Sequence, residues 1–158
     1  MSYTNADGLQ VLTNGAAGVA ANNGTAVSPK KSLVINIADA TELGTSAATP
    51  DDQEAFIPAG SYITAASLIV TTAFTSGGAG TLTIGAYQQD GTTVDADGID
   101  ATIALTALNA TTKAVACDGA LVGGAANVGA NDVYIKSIYA TAAFTAGAAK
   151  LVIEYIEP

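Results

Sequence analysis

The chain has 158 residues, 14 acidic and five basic side chains, a formal net charge of −9, one cysteine, and no histidine or tryptophan. This length suits a single domain that buries roughly two-thirds of its unfolded surface, and the lone Cys117 excludes an intrachain disulfide. The acidic balance, with lysine as the sole basic residue type, excludes the clustered cations that displace counterions from nucleic-acid phosphates.

Residues 1–29 are rich in Asn, Gly and Ala and carry too few large side chains to order themselves by burial, so an extended, low-complexity N-terminal arm is predicted, leaving 30–158 as a β-sandwich domain. Asn5, Leu9, Val11, Leu12, Val19 and Val27 are the candidate partner contacts of that arm. An extended segment adds to a neighbouring sheet edge through backbone hydrogen bonds and needs few bulky groups; a solvated, unordered arm is the alternative.

The first core strand is predicted at Ser32 to Ala38, which is β-branched and follows Pro29. Residues 39–54 show neither helical nor strand periodicity and read as a long surface loop. Ile57-Pro58-Ala59-Gly60 is a turn signal, and Ser61 to Phe74 then runs as one long strand or two joined by a bend, with Leu68, Val70, Thr72 and Phe74 on one face. Gly77-Gly78-Ala79-Gly80 reads as the turn of a hairpin that returns through Thr81 to Tyr87, where Leu82, Ile84 and Ala86 point inward.

Short strands are expected within Ile99 to Leu108, Lys113 to Cys117 and Ala120 to Val122. The Ala-rich stretch from Ala101 to Ala116 is the one place where helix propensity competes. A second hairpin is predicted from Asp132 to Thr145, through Ala146-Gly147-Ala148, into Lys150 to Ile156. The tripeptide Ala-Phe-Thr occurs at 73–75 and again at 143–145, which suggests two related units. Evenly spaced short strands separated by turn residues indicate an all-β, antiparallel, jelly-roll-like β-sandwich.

Only 12% of residues are charged while 49% are hydrophobic, and the mean hydropathy is +0.38. Charged groups normally make up about a quarter of a soluble chain, so part of this surface is expected to be covered by a partner. There is no apolar run of roughly 18 residues and no basic start followed by a hydrophobic block, so neither a membrane span nor a signal peptide is expected.

The absence of histidine removes the commonest general base and metal ligand. Cys117 lies beside Asp118 with no cation in sequence to lower its pKa, and reads as an inert buried thiol. Paired carboxylates of the glycosidase type have no recognisable scaffold here, and no catalytic residue is assigned. Asp95, Asp97 and Asp100, with Gly98 between them, are the only candidate ligands for a metal, and it would be Ca²⁺. The position twelve along from Asp95, where an EF-hand needs its bidentate Glu, is Thr106, so a solvated hairpin loop is the better reading and no cofactor is assigned. The glycine clusters at 77–80 and 123–124 lack the Lys and Ser or Thr of a phosphate loop and read as turns.

The stretch Ile57-Pro-Ala-Gly-Ser-Tyr-Ile-Thr64 with the strand to Ala73-Phe74, Leu82-Thr-Ile-Gly85, Phe144-Thr-Ala-Gly147 and Leu151-Val-Ile-Glu-Tyr155 resembles small virion proteins of tailed bacteriophages. Over roughly residues 56–156 the pattern is similar to capsid decoration, or cement, proteins of marine and cyanobacterial phages; these are simple strand-and-turn strings without a catalytic signature. The resemblance implies a β-sandwich or jelly roll that binds the outer surface of a phage head and stabilises capsomer joints. It further implies the major capsid protein as partner, a homotrimer, no enzymatic activity, no nucleic acid, membrane or small-molecule substrate, and a place on the capsid surface after assembly in the host cytoplasm. A head-fibre or tail module that binds a receptor or glycan is the competing function; it would use the acidic stretch from Asp90 to Asp100, and the lack of tryptophan for sugar stacking counts against it.

Overall fold

A computed structural model describes residues 2–4, 10–12, 30–45, 50–124 and 126–157. Within the stretch read as an arm, β1 (Ser2–Thr4) and β2 (Gln10–Leu12) pair antiparallel, with Tyr3 opposite Val11. Val11 and Leu12 therefore lie in β2, whereas Asn5, Leu9, Val19 and Val27 lie outside the described residues.

The domain is built from β3 (Lys30–Ile37), β4 (Tyr62–Ser76), β5 (Thr81–Tyr87), β6 (Thr93–Ala104), β7 (Ala114–Ala116), β8 (Tyr134–Ala140) and β9 (Phe144–Ile156). The one α-helix among the described residues is the four-residue α1 (Leu105–Leu108), so the Ala-rich stretch is mostly strand and turn. A four-stranded sheet has the order β3-β9-β4-β7 and a three-stranded sheet the order β6-β5-β8, with every pair antiparallel. Their inner faces share one apolar core, to which Ile35, Leu68 and Leu151 come from one sheet and Leu82, Ile84 and Ile135 from the other. Each such side chain contributes about 1.5–3 kcal/mol on full burial.

The two predicted hairpins do not form. β4 pairs with β9 and β7, and β5 pairs with β6 and β8, so the turn at 77–80 carries the chain from one sheet across to the other. The same holds for β8 and β9, whose connection is 141–143; Ala146-Gly147-Ala148 is no turn but part of β9. A hairpin and a crossing between sheets leave the same mark in sequence, because each needs two alternating strands and a small-residue link. What separates them is which edge the second strand meets, and that is not a local property. The crossings bring the repeated tripeptides together. Phe74 and Phe144 meet edge to face with ring centroids 5.1 Å apart, and the Thr75 and Thr145 hydroxyls lie 2.8 Å apart.

β4 is continuous over 15 residues, but its pairing with β9 shifts register between Val70 and Thr72 and again before Thr75. The extra residues turn Thr72 out to solvent although it was expected inward with Leu68, Val70 and Phe74, which are buried. Consecutive strands alternate between the sheets except at the β5–β6 hairpin and from β3 to β4, where a jelly roll would place one more strand beside β8. The long loop after β3 fills that place. Tyr139 N–H donates to the Gly44 carbonyl, Asp51 N–H to that of Ile135, and Ile57 and Val133 exchange a pair of backbone hydrogen bonds. The exposed edge that β8 would otherwise present is thus covered.

Candidate interaction surface

The chemically suggestive residues are spread through the sandwich. Cys117 follows β7, its N–H donating to the Ala66 carbonyl at 3.0 Å, and its thiol is buried. Burial first, and then the charges of Asp100 and Asp118, push that thiol up to about 12, which leaves no thiolate nucleophile at neutral pH.

Asp95, Asp97 and Asp100 lie within β6, not in a hairpin loop; the hairpin turn is earlier, at 88–92, closed by Gln88 N–H to the Thr92 carbonyl. Between the pairs Ile84↔Asp100 and Ala86↔Asp95 the strand accommodates extra residues as a wide bulge. Gly98 and Gly119 allow the close approach there: a Cβ on Gly119 would stand 2.4 Å from the Gly98 carbonyl oxygen. The bulge accepts Gly119 N–H at the Ile99 carbonyl and Leu121 N–H at that of Gly98, which ties the link after β7 onto β6.

Asp97 is exposed, whereas Asp100 is buried and accepts from Thr102 N–H at 3.0 Å. Burial raises the carboxyl pKa of both Asp95 and Asp100. Among the described residues no group of three or more His, Cys, Asp or Glu side chains stands close enough to hold a metal ion. A cavity of about 300 Å³ beside Asp39, Glu42 and Pro50 reaches Lys136, but that ammonium is engaged by Asp51 at 3.0 Å.

The feature that sequence reasoning did not localise is the outer face of the four-stranded sheet. Among the described residues four large apolar side chains are well exposed, and three of them, Val34 at 47%, Tyr62 at 41% and Ile69 at 43%, project from this face; the fourth is Phe56. Register places Val34, Val152 and Ser67 in one row across β3, β9 and β4, with Asn36, Lys150 and Ile69 in the next. On the other side of the Val152 row stand Ser32, Glu154 and Ala65.

Charge on this face is sparse. Lys30 pairs with Glu154 at 3.2 Å, while the Lys150 side chain is exposed and its ammonium makes no ion pair or hydrogen bond among the described residues. The other lysines are engaged: Lys31 by Glu157, Lys113 by Asn109 and Lys136 by Asp51. The alternation Lys150-x-Val152-x-Glu154 was the available signal in sequence, but pairing β9 with β8 hid the strands that flank it.

No family model matches the chain, and no curated protein matches it. A solved structure does: the capsid of Ralstonia phage GP4, at 16% identity with a TM-score of 0.52, covering 82% of this chain and 84% of that one. At that identity the likeness is one of fold, and the chain is an all-β antiparallel sandwich of the same architecture as that capsid chain.

Proposed function

We propose that this chain is a virion structural protein that decorates the outside of a phage head and stabilises the joints between its capsomers. One observation carries the reading: the sandwich is shared across 82% of the chain with a chain of the Ralstonia phage GP4 capsid. The composition supports it, because a chain in which only 12% of residues are charged has little ionic hydration to lose when its surface is covered. The residues that could have argued for catalysis do not assemble, since the thiol is suppressed and the carboxylates of β6 are spread along a strand.

A protein that binds the assembled shell and not its separated subunits shifts assembly toward the shell by mass action, by about 2.7 kcal/mol per site when present at about a hundred times its dissociation constant. In this reading the partner is the major capsid protein. The arm, through Asn5, Leu9, Val11, Leu12, Val19 and Val27, provides contact by adding backbone to a neighbouring sheet edge.

The test is sedimentation of the purified protein with heads that lack it and, separately, with free capsid subunits. Cosedimentation with heads only is expected; binding to neither overturns the reading. Deleting residues 5–27 is expected to weaken head occupancy and leave the β core folded, and full occupancy by the truncated protein would remove the arm from the account.

A further inference from the structure

We propose that the outer face of the four-stranded sheet is a self-complementary docking surface for a second copy of this chain, related by a two-fold axis that lies between the two facing sheets, parallel to them, and runs across the strands over the Val34–Val152–Ser67 row.

That axis lays β9 of one copy antiparallel on β9 of the other. It superposes the Val152 row on itself and exchanges the two rows that flank it. Lys150 then faces the partner's Glu154 twice over, Ile69 faces the partner's Ala65, and Asn36 faces the partner's Ser32. Each contact joins like to like in polarity, and the lysine without a partner among the described residues gains one. The other two-fold choice, an axis along the strands, sets Lys150 on Lys150 and Glu154 on Glu154, which repels. Charge therefore selects one arrangement.

The long-range field of two acidic copies opposes pairing by either axis, and distance moderates it. Asp90, Asp95, Asp97 and Asp100 belong to the β5–β6 turn and β6, in the other sheet. They sit one sandwich thickness, about 10 Å, behind the docking face, which is close to a Debye length at physiological salt. With strands about 4.8 Å apart and alternate residues about 6.8 Å apart, the rows through Lys30, Ser32, Val34 and Asn36 across β3, β9 and β4, extended by Ala114 and Ala116 of β7, present roughly 500 Å² per copy. The pair then covers roughly 1,000 Å², the lower bound of specific association, and a concentration-dependent dimer is expected. This two-fold pair stands in place of the trimer implied by the resemblance, and it does not rest on the virion reading, because it concerns the isolated protein.

The experiment is the mass of the full chain by light scattering over a concentration series, for the wild type, Lys150→Glu, Glu154→Lys and the double exchange. The wild type should dimerise, each single exchange should weaken association about tenfold or more, and the double exchange should restore it. Both exchanged positions point outward, and Glu154→Lys breaks only the exposed Lys30–Glu154 pair, so nearly unchanged melting is expected at dilutions where every variant is monomeric and reports that the fold is intact. A wild type that stays monomeric or forms trimers overturns the proposal, as do single exchanges that leave the mass unchanged or a double exchange that fails to recover the dimer.

Discussion

Gly147 shows how a single backbone position holds the crossing of the two sheets. It adopts φ +144 within β9, and a Cβ there would stand 2.5 Å from the Phe74 ring. Gly147→Ala must displace Phe74 from its edge-to-face contact with Phe144, and a loss of about 2 kcal/mol is expected from overpacking and backbone strain together. A urea titration checks this, with a lowered midpoint at unchanged slope. Asp100 carries a different kind of cost. Burial raises its carboxyl pKa, opposed by Thr102 N–H and reinforced by the charge of Asp118. The folded state then holds the proton more tightly than the unfolded chain, so stability is lost as the pH rises from the ordinary carboxylate range through the folded pKa. Asp100→Asn keeps the acceptor for Thr102 N–H and removes the charge. A higher melting temperature is expected at neutral pH, with the difference closing below about pH 4; a variant that melts lower at pH 7 would contradict the assignment.

The loop that replaces a strand beside β8 depends on Asp51 as its latch. One carboxylate oxygen accepts from Ser137 N–H at 2.7 Å and the other from Lys136 at 3.0 Å, with the two side chains 7% and 15% exposed. Removing one partner of a buried pair strands the other charge, so Asp51→Ala is expected to cost about 3 kcal/mol. Amide hydrogen exchange should show Ser137 and Tyr139 losing protection while β4 and β9 keep theirs; uniform loss would mean that the loop does not open separately. Asp51 belongs to a stretch that reads from sequence only as loop, since a chain that caps an edge through isolated hydrogen bonds has no periodicity to display. Strands themselves were legible: Leu82, Ile84 and Ala86 were expected inward and are fully buried. Their partners were not, because β4 meets β9 some 80 positions further on, and nothing in the alternation of Ile63 to Phe74 names that edge. The candidate surface was illegible for the same reason. Its rows are composed of β3, β9 and β4, three strands distant in sequence, and the exposure of Val34 and Ile69 gains meaning only once they stand on either side of Val152 and Lys150.

Association of such molecules is a contest between a local and a long-range electrostatic effect, and their magnitudes decide which one salt reveals. Each copy carries −9, and two such charges about 20 Å apart in water repel by on the order of 10 kcal/mol without screening. At roughly 0.01 M salt, where the Debye length is about 30 Å, around half of that repulsion survives; at physiological salt, where it is about 8 Å, little more than about 1 kcal/mol remains. The two Lys150–Glu154 contacts oppose this with about 0–1 kcal/mol each at a partly exposed interface. Screening the repulsion therefore gains several kcal/mol and screening the contacts loses at most about two. The dimer should tighten as salt rises from roughly 0.01 M to roughly 0.15 M, contrary to the weakening expected of an interface held by ion pairs alone. Sedimentation equilibrium at two salt concentrations measures the difference. A dissociation constant that rises with salt would show that apolar cover by Val34, Val152 and Ile69 contributes little and that the charged pairs dominate.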